Sequence, residues 1–183
     1  MRKIIKLFAL ALLVFFVSYN GYSGEFALSS LTFDNGGKIS PKNANYGVYA
    51  GDNVSPQFTW SGAPESVKSY ALVCIDTAPV ANNWVHWFVC NIPSNVTLLE
   101  QGDSDDGSMP ADSIQSLNSF GVKGYSGPQP PQGSGKHTYV FTLYALNVKS
   151  LQPLDISMNY EKIEAFLKPY VIAKATYSGT FER

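Results

Sequence analysis

The chain has 183 residues, with 13 basic and 14 acidic side chains, a formal charge of −1, two histidines and two cysteines. It lacks the basic excess of a nucleic-acid surface, and it contains no internal repeat or heptad. Aromatic residues make up 14% and charged residues 15%, a balance that suits a β-rich core.

Residues 1–23 have the three parts of a secretory signal: basic MRKIIK, the apolar run LFALALLVFFV and polar SYNGYS. An apolar run of eleven residues is too short to span a bilayer, which takes roughly 20. Gly21 and Ser23 are small enough to flank a cut after Ser23. An uncleaved N-terminal anchor is the rival reading, and no cysteine near the cut offers a lipid attachment point. The expectation is an exported protein, periplasmic or secreted, with one domain over residues 24–183 and no transmembrane helix in the mature chain. Losing Arg2, Lys3 and Lys6 from 13 basic residues, against 14 acidic, leaves −4.

In chain order, Glu25 to Phe33 alternates well enough for a first strand, and Asp34-Asn35-Gly36-Gly37 is a turn. Ile39 to Asp52 reads as an extended crossover. Ser55 to Trp60 is a short strand that Pro56 confines to a strand start or an edge. Two strands follow, Tyr70–Asp76 and Trp84–Asn91. At a period of two, Tyr70, Leu72, Cys74 and Asp76 share one face, and Trp84, His86, Phe88 and Cys90 share another. As a hairpin, the pair sets Asp76 opposite His86 and Cys74 opposite Phe88. Cys90 then lies out of bridging reach, which favours free thiols over a disulfide.

Asn95 to Leu117 reads as a loop. Its QGDSDDGSMPADS stretch does not match a calcium loop, because Gly107 and Ile114 fall where an oxygen ligand and a glutamate are required. Asn118 to Pro131 is a Gly/Pro loop whose Phe120 and Tyr125 suggest folding back on the body, with backbone amides facing a ligand. His137 to Asn147 is the clearest strand, with His137, Tyr139, Phe141, Leu143 and Ala145 on one face. Leu151 to Lys168 has a helical pattern, with Ser157 as N-cap and Tyr160, Ile163, Ala165 and Phe166 as the apolar side. Pro169 then kinks this helix or starts a second one through Lys174, and Thr176 to Phe181 closes the fold.

Asp76, His86 and His137 thus stand at strand ends beside aromatic residues. The segments SPQFTWSGAP (55–64), WVHWFVCNIP (84–93), NSFGVKGYSGPQPP (118–131), HTYVFTLYALN (137–147) and GTFER (179–183) resemble the phosphatidylethanolamine-binding protein family. The likeness is to its bacterial branch, the Raf kinase inhibitor-like proteins. It implies an all-β dominated fold, a β-sandwich of two antiparallel sheets with Greek-key connections and one or two short C-terminal helices. It also implies a small pocket for a phosphate-type anion or phospholipid head group. On that resemblance the ligand-binding residues are Asp76, Pro79, Trp84, His86, Tyr125, Gly127, Pro128, His137 and Tyr139, with no catalytic residue, no cofactor and no metal. Two departures stand out: Asp76-Thr77-Ala78-Pro79 keeps one aspartate of the family's Asp-Pro-Asp-Ala-Pro, and Phe181 replaces a tyrosine. The chain also stops at Arg183, without the C-terminal helix of animal members.

The chemistry of such a site follows from its groups. An imidazolium and loop amides donate to an anion, while Asp76 orients a histidine and raises its pKa. Trp84, Trp87 and Tyr139 exclude water. Two histidines and a carboxylate also match a non-haem iron set, and adding Ser126 makes a hydrolase reading, though no Gly-x-Ser-x-Gly surrounds it. A further alternative is an inhibitor or modulator of another exported protein, binding through residues 101–117 with the pocket incidental. A homodimer is left open.

Overall fold

The computed structural model describes residues 24–152 and 159–183. The expected signal segment, residues 1–23, and the expected Ser157 cap lie outside these described residues. Among the described residues, nine strands run in chain order: β1 Ala27–Ser29, β2 Gly37–Lys38, β3 Phe58–Ser61, β4 Ser69–Asp76, β5 Trp84–Pro93, β6 Leu98–Leu99, β7 Ile114–Gln115, β8 His137–Leu146 and β9 Val171–Phe181. A four-residue helix, α1 (Asp103–Asp106), lies between β6 and β7, and α2 (Tyr160–Leu167) precedes β9. The strands form a small sheet in the order β1-β3-β6 and a large one in the order β2-β9-β8-β4-β5-β7. All the strand pairings are antiparallel except the short β2–β9 contact, which is parallel.

The large sheet is covered on both sides, which is why β4 is buried along its whole length. Tyr70, Leu72 and Cys74 point into the sandwich core with Phe58, Trp60, Phe141 and Leu143. Ala71, Val73 and Ile75 point the other way, onto Ile163 and Leu167 of α2. A strand buried on both faces has no polar alternation, and β4 shows none until Asp76.

The β4–β5 hairpin departs from simple alternation. The ladder passes from Cys74↔Trp87 to Ile75↔Val85, one step on β4 against two on β5. His86 is therefore the extra residue of a β-bulge. A second shift, between Tyr70↔Ile92 and Leu72↔Val89, includes Asn91 at φ 60°. Asn91 exchanges two side-chain hydrogen bonds with the Leu151 backbone. These bulges correct the expected register: Asp76 pairs with Trp84 rather than His86, and Cys74 with Trp87 rather than Phe88. They also divide the expected common face, since Phe88 and Cys90 pack toward α2 while His86 meets Tyr139 on the opposite side. Cys74 and Cys90 are free, buried and in different core clusters, on opposite faces of the sheet. Burial pushes both thiols up, Cys90 to about 12.

Three further expectations change. Residues 95–117 contain β6, α1 and β7 rather than loop alone. The start of α2 is capped by Asn159, whose side chain accepts from the Lys162 amide, and its buried positions are Ile163 and Leu167, with Ala165 exposed. Beyond Pro169 the chain enters β9 at Val171 instead of a second helix, because alternate residues from Ala175 to Phe181 fill the sandwich core.

Candidate functional site

Asp76 ends β4 opposite Tyr139 of β8, and His137 lies two residues earlier on β8. Diagonal neighbours on one sheet face are within reach of a side chain. Asp76 Oδ2 meets His137 Nδ1 at 2.6 Å, with the histidine 1% and the aspartate 3% exposed. Asp76 Oδ1 accepts from the Ala78 amide at 2.9 Å, which steadies the turn into the 3-10 segment Pro79–Ala81. On the far side of His137, Nε2 lies 2.9 Å from Ser134 Oγ. That hydroxyl donates its single proton to the Pro131 carbonyl at 2.6 Å, so it accepts from an Nε2–H. Asp76 and Ser134 thus engage the two ring nitrogens of His137.

His86, carried by the bulge, is held differently. Its Nδ1 donates to the Ser126 carbonyl at 2.6 Å, which leaves Nε2 as the nitrogen available to the cavity. The ring stands edge-on to Tyr139 (5.0 Å) and Phe120 (5.5 Å). Burial holds its pKa below the ordinary 6.5, outweighing the upward pull of the Ser126 carbonyl and Asp76.

These groups line a cavity of about 210 Å³, together with Val80, Ala81, Trp84, Phe120, Gln129, Pro130 and Pro131. Among the described residues, no lysine or arginine lines it. Trp84, 42% exposed, stacks edge-on with Phe120 at the rim. The Tyr139 hydroxyl is buried without a hydrogen-bond partner, although Asp76 and the Gln129 backbone both act on its ionisation, which burial pushes upward.

The cavity brings together Asp76, Trp84, His86 and His137, with Tyr139 behind His86. The other sequence candidates act from outside it. Pro79 is exposed at the start of the 3-10 segment, setting Val80 and Ala81 against the opening. Tyr125 points into the body and donates to the Asn43 carbonyl, and Trp87 donates to Gln115 within the core. Gly127 and Pro128 are buried against residues 43–53: the Gly127 amide donates to Asn53 Oδ1, and the Pro128 carbonyl accepts from Asn45. Three of the loop's expected amide donors are thus spent internally, since those of Tyr125, Ser126 and Gly127 are all bonded within the protein. Their use is positional: they fix the Ser126 carbonyl under His86.

Ser126 offers no nucleophile pairing, because its hydroxyl accepts from Asn118 and it is its carbonyl that meets the His86 ring. Among the described residues, no group of three or more His, Cys, Asp or Glu side chains is arranged to hold a metal ion. Sequence reasoning missed Val80, Ala81 and Ser134, and it reached Gln129 and Pro130 only as part of the loop set against the pocket. Only Ser134 carried a local cue, a hydroxyl residue between two glycines just before the strand histidine.

A family model for the phosphatidylethanolamine-binding proteins matches residues 29–182, and the chain belongs to that family. It is 39% identical over 133 residues to a UPF0098 protein of Methanothermobacter thermautotrophicus, covering 73% of this chain and 85% of that one. It is 32% identical over 171 residues to UPF0098 protein YbcL of Escherichia coli, covering 91% and 93%. The crystal structure of YbcL superposes with a TM-score of 0.79 at 33% identity, over 87% of this chain and 99% of that one. A Mycobacterium tuberculosis protein named putative lipoprotein LppC is 43% identical over 132 residues, covering 72% of this chain and 62% of that protein. Membership supports a binding role without fixing a ligand. Among the described residues, no helix is long and apolar enough to cross a membrane.

Proposed function

We propose that this chain is an exported, non-enzymatic protein whose cavity takes the phosphate-type head group of a small molecule or lipid together with a proton. The observation that carries this reading is the convergence of His86, with its Nε2 left unused by Ser126, and the hydrogen-bonded Asp76–His137 couple on one mostly apolar cavity. With no fixed cation present, a dianion has nothing to neutralise it. A phosphate that keeps a P–OH can donate to Nε2, or pass that proton to the ring and be held as the partner of an imidazolium. The apolar walls strengthen either contact by excluding water. Export is supported by the basic, apolar and polar order of residues 1–23 and by the lipoprotein name of one relative.

Calorimetry with phosphoethanolamine tests the reading. Affinity rises from pH 7.5 to pH 6, binding takes up a proton in buffers of different ionisation enthalpy, and His86→Ala abolishes both effects without unfolding the protein. Equal affinity in wild type and His86→Ala would overturn it.

A further inference from the structure

We infer that Ser134 is a latch on this site: its hydroxyl occupies the only N–H of His137 that an anion could use, and the ligand must displace it. The inference rests on the anion-binding reading above and adds a residue that controls it. His137 is sealed on its Nδ1 side by buried Asp76. Its other nitrogen points at one exposed serine, on a turn outside the sheet. The Ser134 proton is committed to the Pro131 carbonyl, which also accepts from the Ser134 amide at 3.2 Å, so the serine can only accept from the ring. A neutral hydroxyl is a poor acceptor beside a phosphate oxygen, whose charge-assisted bond is roughly twice as strong.

The turn is built to release. Gly133 and Gly135, on either side of the serine, have φ of 76° and 83°, and a Cβ at either position would meet no atom within 4 Å. Backbone there is free to reorient without a side chain to clear. The Gly133 amide donates to the Arg183 carbonyl at 3.1 Å. Pro131, whose carbonyl anchors the serine, is itself part of the cavity wall. A ligand pressing on that wall therefore pushes on the group that holds the latch closed.

The test uses the full mature chain and inorganic phosphate, titrated calorimetrically into wild type, Ser134→Ala, Ser134→Thr and His86→Ala. Loss of one competing neutral hydrogen bond predicts about fivefold tighter binding in Ser134→Ala. Ser134→Thr keeps the hydroxyl and the wild-type affinity. Nitrogen-15 NMR of the imidazoles provides a readout that a merely structural serine would not move: the His137 Nε2–H signal, protected in wild type, exchanges rapidly with water in Ser134→Ala and regains protection on adding phosphate. If wild type binds phosphate through His86 but Ser134→Ala binds no tighter, the latch falls and the site stands. Tightening in Ser134→Thr also refutes the latch. If neither wild type nor Ser134→Ala binds phosphate, latch and site fall together.

Discussion

Removing Asp76 probes the centre of the site most directly. The carboxylate is 3% exposed and has two partners, His137 Nδ1 at 2.6 Å and the Ala78 amide at 2.9 Å. In Asp76→Ala, His137 stays buried with its Nδ1 facing an apolar void. Breaking a buried pair by deleting one partner costs about 3–5 kcal/mol, because the remaining polar group has been desolvated for nothing. For a domain of this size that is a melting-temperature drop of about 10 °C. Deleting both partners removes the orphan, so Asp76→Ala/His137→Ala costs much less than the sum of the two single variants. The cycle yields a coupling energy of about 2–4 kcal/mol. Urea unfolding at pH 7, followed by tryptophan fluorescence and extrapolated linearly, measures all four corners. Additive effects, or an Asp76→Ala cost below about 1 kcal/mol, would show that the couple is no more than a solvated contact and would remove the reason for treating it as the fixed floor of the cavity.

Two further outcomes follow from the same geometry. His86 is held below its ordinary 6.5 by burial, so below about pH 6.5 the unfolded chain binds a proton that the folded chain refuses. Stability without ligand therefore falls on acidification from pH 7 toward pH 5, and His86→Phe flattens that slope; an unchanged slope would contradict the assignment. A Cβ on Gly127 would lie 2.1 Å from the Asn43 carbonyl oxygen and 2.7 Å from backbone atoms of residues 44 and 45, none of which can swing aside. Gly127→Ala consequently costs about 3 kcal/mol by overpacking. It also lifts the Ser126 carbonyl from His86, so the His86 Nδ1–H loses its protection from solvent exchange, which NMR reads directly.

The sequence by itself determined which segments become the central strands. Runs such as Tyr70–Asp76 and His137–Asn147 are apolar enough to be buried on one or both faces, and Asp76 and His137 mark strand ends. It also determined that three scarce polar groups, Asp76, His86 and His137, would gather near one rim. It did not determine which histidine the carboxylate would hold. A period of two assumes an unbroken ladder, and the bulge at His86 adds one residue to β5 alone, turning Asp76 away from its hairpin neighbour and toward the diagonal partner on β8. Tertiary packing decided the rest: Ser104, His86 and Asn53 take the Tyr125, Ser126 and Gly127 amides that a local reading leaves free for a ligand. It also set Ser134 on the last N–H of His137, because hydrogen bonds between segments distant in sequence obey no spacing rule that a chain displays before it folds.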